Sequence, residues 1–293
     1  MNFNTFVSSL EDLSRCAQAP LLNEVLIEPR LLARAGRLSA ETTRELALAA
    51  RSQGLRAVLV WDILMTDEEL SDCVTMLSEI EIEEFDAVRV QCHGAAWYLK
   101  QHFPKVNIHL IAEAANCNLR ANQLWCSLLG SQLERIVLSI QLPARTISSY
   151  VRELPVDCEI LGLGQIQLFY SRRHLLTDSD AMSEGSWREM VAASDESNNR
   201  PLPVIDNNHG TFIYLDKDQF ILHRLAELGS GTPDFIRLDL RHLSLFPDSA
   251  AEIDRSVLQA LRSPEELRRN WPRATSAPFF RANMTTKQFR FLK

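Results

Sequence analysis

Short apolar runs alternate with amphipathic stretches along most of the chain. "EVLIEP" (Glu24–Pro29) is a compact strand-like run. "SAETTRELALAARSQG" follows it, with Ser39 as a helix N-cap, Leu46, Ala49 and Ala50 on one face, and Gly54 as the stop. "LRAVLVWDIL" predicts the next strand. "TDEELSDCVTMLSEI" then opens on Thr66-x-x-Glu69, a capping-box spacing, and sets Leu70, Cys73, Val74 and Leu77 at helical intervals. The alternation continues through "FDAVRV" and "AAWYLKQHF", "NIHLIA" and "RANQLWCSLLG", "ERIVLSI" and "ARTISSYVREL", and on to "CEILGLG". Such regular strand–helix steps are the spacing of βα units.

Between Gly164 and Arg200 the pattern weakens. The stretch is rich in Ser, Asp, Glu and Asn, which predicts a long loop with one helical turn after the sixth strand. Order returns with "GTFIYL", read as a strand, and "DKDQFILHRLAELG", read as a helix capped by Asp216 with Phe220, Leu225 and Leu228 on one face. "PDFIRLDL" predicts a last strand and "DSAAEIDRSVLQALR" a last helix ending before Pro264. Eight strands, nearly all followed by helices, favour a (β/α)8 TIM-barrel-like single domain over residues 1–261, with a doubly wound open sheet as the second solution. Residues 262–293 form a basic C-terminal extension expected to pack on or near the barrel.

Chemistry in a barrel belongs at the C-terminal ends of the strands. Those ends hold Glu28, Arg30 and Arg34, then Trp61 and Asp62, Gln91, Cys92 and His93, and Glu113 and Asn116. Later strands add Ser139, Gln141, the Gly164–His174 run, Asp239, Arg241 and His242, while "PVIDNNHG" contributes Asp206 and His209. This rim suits a polar organic ligand or a peptide. Arg34, Asp62, Glu113, Arg172 and Arg241 are the candidates for binding it, and His174, His209 and Asp239 are the candidates for catalysis. Each has a structural reading beside the functional one. His174 has no partner at ligand spacing, which favours a hydrogen-bonding rim residue over a catalytic one. His209 fits an Asx-type turn. Arg34, Asp239 and Arg241 fit an ion-pair network under the rim as well as a bidentate clamp.

Composition narrows the field. The 293 residues carry a net charge of −7, which argues against a broad nucleic-acid face. The charge is uneven, with eight basic and two acidic residues from Arg262 to Lys293. No apolar run approaches the ~20 residues of a membrane span. The opening residues lack a basic stretch followed by an apolar one, so no secretory leader and a cytoplasmic location are expected. Six scattered cysteines, without a C-x-x-C pair, predict free thiols and no metal site. "GLG" (Gly162–Gly164) lacks the rest of a dinucleotide fingerprint, and G-x-S-x-G, H-E-x-x-H and P-loop motifs are absent.

Several segments together resemble peptidase family U32, the collagenase-like proteases. "LEDLSRCAQAPLLNEVLIEPRLLARAGRLS…ELALAARSQGLRAVLVWDIL" is similar to the family's opening, where a first strand leads to an arginine matched by Arg34 and a second ends in an asparagine, here Asp62. "ERIVLSIQL" is similar to the family's fifth strand. "PVIDNNHGTFIYLDKDQFILHRLAEL…DFIRLDLRH" resembles the stretch that closes on Lys-Ile-Glu-Gly-Arg, replaced here by Arg237 to Arg241. The family signature runs Glu, Gly-Ala, an apolar residue, Cys, four residues, Gly, one residue, Cys, one residue, an apolar residue and Ser. Against it stand Glu159, Gly164, Gln165, Ile166, Gln167, Arg172, His174, Leu176 and Thr177. Both cysteines are replaced, by Gln167 and His174.

The resemblance implies a barrel. In some members it also implies a [4Fe–4S] cluster, held by cysteines of the signature and the following loop, that supports hydroxylation of RNA bases or of a ubiquinone precursor. A cluster needs thiolates, and no cysteine follows Cys158. The expectation is therefore a divergent member with no cofactor, acting as a binding or accessory subunit. It would pair as a heterodimer with a cysteine-bearing relative. A U32-type peptidase or other hydrolase using the rim histidines and carboxylates is the alternative.

Overall fold

A computed structural model describes residues 1–19, 21–112, 118–176, 187–194, 200–241 and 262–280. Strands β1 (Asn2–Val7), β2 (Leu22–Ile27), β3 (Arg56–Trp61), β4 (Ala87–Val90), β5 (Asn107–Ile111), β6 (Leu133–Val137) and β7 (Asp157–Ser171) pair in parallel in chain order. Between them lie α1 (Leu10–Ala17), α2 (Ala40–Ser52), α3 (Asp67–Glu79), α4 (His93–His102), α5 (Leu119–Leu129) and α6 (Ala144–Glu153). Strands β8 (Trp187–Ser194), β9 (Arg200–Asn207) and β10 (Gly210–Phe220) follow, and then β11 (Phe235–Leu238). Strand β11 pairs in parallel with both β7 and β1 and closes an eight-stranded (β/α)8 barrel. Closure removes the open-sheet alternative.

The helices start where the side chains say they should. Ser39 accepts a hydrogen bond from the Thr42 amide, and Thr66 and Glu69 form a reciprocal capping box. Gly54 takes φ +76° just past α2. The apolar faces of the helices meet the outward-facing strand residues in one continuous core that includes Leu46, Leu77, Leu99, Ile108 and Ile136.

Four expectations change. The first barrel strand is Asn2–Val7, ahead of Glu24–Pro29. "GTFIYL" is not a barrel strand. Instead β7 runs on past the barrel to Ser171 and pairs antiparallel with β10, which pairs with β9 and then β8. The expected loop after the sixth strand thus holds an antiparallel sheet, because "QIQLFYS" continues the strand instead of turning into a helix. Asp216 sits within β10 and caps no helix; only Leu222–Gly231 beyond it is helical, as 3-10 turns kinked at Gly229. The helix expected over 248–262 lies outside the described residues but for Arg262. Helix α7 (Pro264–Asn270) follows, and Leu267, Trp271 and Phe280 are buried in the main core. Trp271 Nε1 donates to Asp218 Oδ2 at 2.6 Å, and β12 (Thr275–Ser276) pairs with β10.

Barrel interiors are usually filled by branched apolar side chains. Here Leu26, Val58, Val60 and Ala87 fill one part of the interior, with Phe6 against them. Much of the rest is ionic. Arg135 donates from Nη1 and Nη2 to Glu24 (2.6 and 2.9 Å) and from Nη1 to Glu159 (3.2 Å). Arg89 donates to Glu159 at 2.6 Å, and Asn4 Nδ2 donates to both carboxylates at 2.9 Å. Phe235 lies flat on Arg135, 3.3 Å from ring centre to guanidinium carbon. All of these charged groups are buried. Burial alone would raise the Glu159 carboxyl, but Arg89, Arg135 and Arg237 outweigh it and hold Glu159 well below the usual carboxylate range.

Removing one partner from such a lattice strands the others in a medium that cannot solvate them. Arg135→Ala is expected to destabilise the chain by about 3–5 kcal/mol, read as a lowered midpoint in urea unfolding. An unchanged midpoint would show that water replaces the guanidinium at no cost.

Candidate functional site

The C-terminal ends of the strands open onto a cavity of about 110 Å3. Two ion pairs frame it. Arg34, in the loop after β2, donates from its backbone amide and from Nε to the two Asp62 oxygens, both at 2.8 Å, and from Nη1 to Gln167 at 2.7 Å. Arg241, after β11, grips Asp239 with Nε (2.8 Å) and Nη2 (2.6 Å) and reaches Glu28 with Nη1 (2.6 Å). Its guanidinium lies 3.5 Å over the Phe6 ring. Arg89 and Arg237 also reach the cavity from within the barrel, and Gln91, Gln141 and Gln165 add amides. Tyr170 and Tyr214 line it from the antiparallel sheet.

Gly164 lets the two halves of this site meet. It takes φ +140°, and a Cβ there would lie 2.5 Å from Asp239 Cβ. The "GLG" run therefore serves close strand packing beneath Asp239.

The antiparallel sheet is fastened across the loops that carry the site. The Leu64 amide donates to the Tyr170 hydroxyl at 3.0 Å, and Arg172 pairs with Glu69 at 2.5 Å. At the β9–β10 turn, Asn207 Nδ2 donates to the Arg34 carbonyl (2.8 Å) and His209 Nε2 donates to the Arg30 carbonyl (2.7 Å). The His209 amide donates back to Asn207 Oδ1 at 2.9 Å, an Asx-type turn. Burial lowers the His209 pKa, which keeps the ring neutral and suited to donating to a carbonyl.

Of the candidate residues, Arg34, Asp62, Asp239 and Arg241 converge on the one cavity. His209 is spent on the Arg30 loop, and Arg172 is on the surface with Glu69. His174 sits in the antiparallel extension, with Nδ1 2.7 Å from the buried Asp206 carboxylate, and does not line the cavity. Glu113, Asn116 and His242 lie outside the described residues. Reading the sequence missed Tyr214, Arg89 and Arg237, and it named Tyr170 only as part of the Gly164–His174 run. The arginines had a signal: each is a lone charge inside an apolar run, "AVRV" and "FIRL", at a position whose neighbours along the strand point the other way.

On strands β2, β5 and β6, Glu24, His109 and Glu134 place one ligand atom each within 4.8 Å of one another. Arg135 already binds Glu24, and Arg56 Nη1 lies 2.7 Å from Glu134. A cation there would have to displace guanidinium groups, so the cluster reads as part of the ionic lattice.

Glu28, held by Arg241, is a buried carboxyl shifted towards neutrality. Burial pushes its carboxyl up to about 7, with Asp62 and Asp239 adding to the rise and Arg241 opposing it. A folded-state pKa above the unfolded value means the native state holds the extra proton, so stability falls as pH rises from the ordinary 4.5 to about 7. Glu28→Gln is expected to flatten that part of the stability–pH profile, measured by chemical denaturation at successive pH values. A profile unchanged by the substitution would place the titration elsewhere.

Comparison with known proteins adds the lineage. No curated protein matches the sequence. Among solved structures, phosphoribosyl anthranilate isomerase from Thermus thermophilus superposes with a TM-score of 0.50 at 11% identity, covering 90% of this chain and 99% of that one. At that identity the likeness concerns the barrel fold alone. The U32 peptidase Mk0906 matches with a TM-score of 0.45 at 12% identity, covering 56% of this chain and 69% of that one. The sequence profile of peptidase family U32 matches residues 26–186, more than half of the chain. With the barrel closed and that profile running from β2 through the signature stretch, the chain belongs to peptidase family U32.

Proposed function

We propose that this U32-family barrel is a cluster-free binding or accessory subunit that holds a small polar ligand at its mouth and works beside a cysteine-bearing relative in the cytoplasm. The observation that carries this reading is the fate of the two signature positions. Gln167, in place of the first cysteine, gives its carbonyl oxygen to Arg34, and His174, in place of the second, turns Nδ1 onto Asp206. An amide and an imidazole turned onto a carboxylate leave two of the thiolates of a four-cysteine [4Fe–4S] site unsupplied at these positions. Among the described cysteines, Cys73 and Cys158 are buried, with burial raising their thiols to about 11 and about 12. None of the described cysteines lines the cavity.

The same lining speaks against hydrolysis. Among its described residues there is no serine, threonine, cysteine, lysine or histidine to serve as nucleophile or neutral-pH base. Arg34, Asp62 and Arg241 are instead held by fixed partners, which suits binding with little reorganisation. The antiparallel extension exposes Leu168, Phe169, Leu175, Met190 and Val191, apolar groups suited to a partner surface. By the family resemblance, that partner would act in hydroxylation of RNA bases or of a ubiquinone precursor.

One observation favours the hydrolase reading. His174 and Asp206 form the acid–imidazole pairing that orients a general base.

Anaerobic purification from the native cell, with iron and sulfide analysis, tests the first reading. The expected result is far less than one cluster per chain, with a cysteine-bearing family member co-purifying; a stoichiometric cluster on this chain alone would overturn it. Peptide hydrolysis abolished by His174→Ala would establish the second reading instead.

A further inference from the structure

The pattern of charge along the chain changes sharply at β4. Nine acidic residues and no basic one lie from Asp67 to Asp86, in and after α3. From Ala87 to Leu133 the one acidic residue is Glu113, while Arg89, Lys100, Lys105 and Arg120 are basic. Strands β3, β4 and β5 are neighbours in the ring, so α3, α4 and α5 stand side by side on the barrel wall. Acidic α3 therefore borders a basic face made by α4 and α5. Arg172, Arg44 and Arg51 take up Glu69, Glu81 and Glu84. Asp67, Glu68, Asp72, Glu79 and Glu83 are exposed and meet no cationic side chain among the described residues.

The basic face is also apolar at its centre. Trp97 on α4 is 49% exposed, and Leu124 and Leu128, one turn apart on α5, are 57% and 39% exposed. Lys100 ties them into one patch. Its ammonium lies 5.3 Å from the Trp97 ring centre and donates to the Leu128 carbonyl. The His93 ring stacks on Trp125 at 4.5 Å, which fixes α4 against α5. A tryptophan exposed beside two exposed leucines forms the kind of apolar patch that marks a contact surface. Charge decides what covers it. A partner must flank its apolar contact with acidic groups, and the chain carries such a surface itself on α3.

We propose that two copies of this chain pair face to face through α3, α4 and α5, about a two-fold axis running along α4. Helix α4 then packs on its counterpart with Trp97 at the centre, and α3 of each copy lies against α5 of the other. An axis parallel to the helices brings like ends together. Glu68 and Arg120, each the second residue of its helix, face one another across the interface. Lys105, just past the end of α4, faces Glu79 and Glu83 at the far end of α3. Leu124 and Leu128 lie over Thr75 and Ser78, small side chains whose hydroxyls donate to carbonyls of their own helix. One patch serves both copies, as a closed pair requires. The face is built on β3 to β5 and the antiparallel extension on β7 to β10, so this pairing does not rest on the accessory-subunit reading.

Sedimentation equilibrium of the full chain over a range of concentrations tests this. The expected result is a reversible species of twice the 33.3 kDa chain mass, weakened by raising salt from about 0.05 to about 0.5 M. Trp97→Ala should raise the dissociation constant about tenfold or more. Arg120→Glu and Glu68→Arg should each weaken the pair about tenfold or more, because like charges then meet twice across the axis. Mixing these two variants should restore association, since every such contact in the mixed pair again joins opposite charges. Thermal midpoints of each variant separate lost pairing from lost folding. A monomer at all concentrations up to about 100 µM would overturn the proposal, as would a mass that climbs beyond two chains. So would Trp97→Ala pairing as tightly as the parent chain, or a mixture no tighter than its components.

Discussion

The fold depends on a shared constraint: Arg135, buried at the centre of the barrel, must meet Glu24 and Glu159 at once. These groups come from β6, β2 and β7, with Asn4 from β1 and Arg89 from β4 completing the lattice. No pair of neighbouring strands can satisfy it. Each carboxylate is taken out of water by strands that must already be in register with several others, so a slip by one residue would bury a charge against an apolar wall. Ion pairs of this kind contribute little net stability over well-packed apolar residues. Their effect falls on alternatives, which they penalise heavily. The ionic interior is in that sense a test of closure that only the complete barrel passes.

The same constraint organises the mouth. Once β11 is locked between β7 and β1, Asp239 stands against Gly164, and Arg241 folds over Phe6 towards Glu28. The chain then departs from the plain barrel by letting β7 overrun its rim and pair with β10. That overrun is what brings Gln167 to Arg34 and Tyr170 to the Leu64 amide. His209 and Asn207 reach across from the β9–β10 turn to the backbone of the Arg30–Arg34 loop. The guanidinium of Arg34 is thus fixed from two directions, by a carboxylate at the end of β3 and by the antiparallel sheet. Loops carry functional groups best when a rigid element positions them, and here the sheet supplies that rigidity.

What could be read in the sequence follows from where the physics is local. Helix starts at Ser39 and Thr66 were legible because a cap is made within three residues of its partner. The barrel class was legible because βα spacing repeats. The first strand, "NFNTFV", was not, since its inward Asn4 breaks the apolar run and takes its meaning from Glu24 and Glu159, the latter 155 positions away. "GTFIYL" has the composition of a barrel strand, and only pairing with the overrun of β7 reveals that it lies outside the ring. At the site, Arg34, Asp62, Asp239 and Arg241 could be found from strand ends alone. Tyr170 and Tyr214 could not, because a loop was expected at Tyr170 and a barrel strand at Tyr214, where the antiparallel sheet stands. His174 has no partner at ligand spacing in sequence; Asp206 supplies one from 32 positions on.

The two signature positions have a structural use of their own. A thiolate offers a soft donor and no second function, whereas the Gln167 amide both accepts from Arg34 and sits on the wall of the cavity. His174 similarly joins the end of the β7 overrun to Asp206 of β9, and Asp206 also accepts from the Leu176 amide at 3.1 Å. Each substitution therefore supplies a polar bond that holds the antiparallel sheet together or holds it to the barrel. A site that had merely lost its cofactor would leave buried polar groups without partners at the signature positions, at a cost of about 1–3 kcal/mol each. At Gln167 and His174 the opposite holds. Gln167 ties the β7 overrun to Arg34, and His174 ties its end to Asp206 of β9, so both signature positions serve the support of the antiparallel sheet.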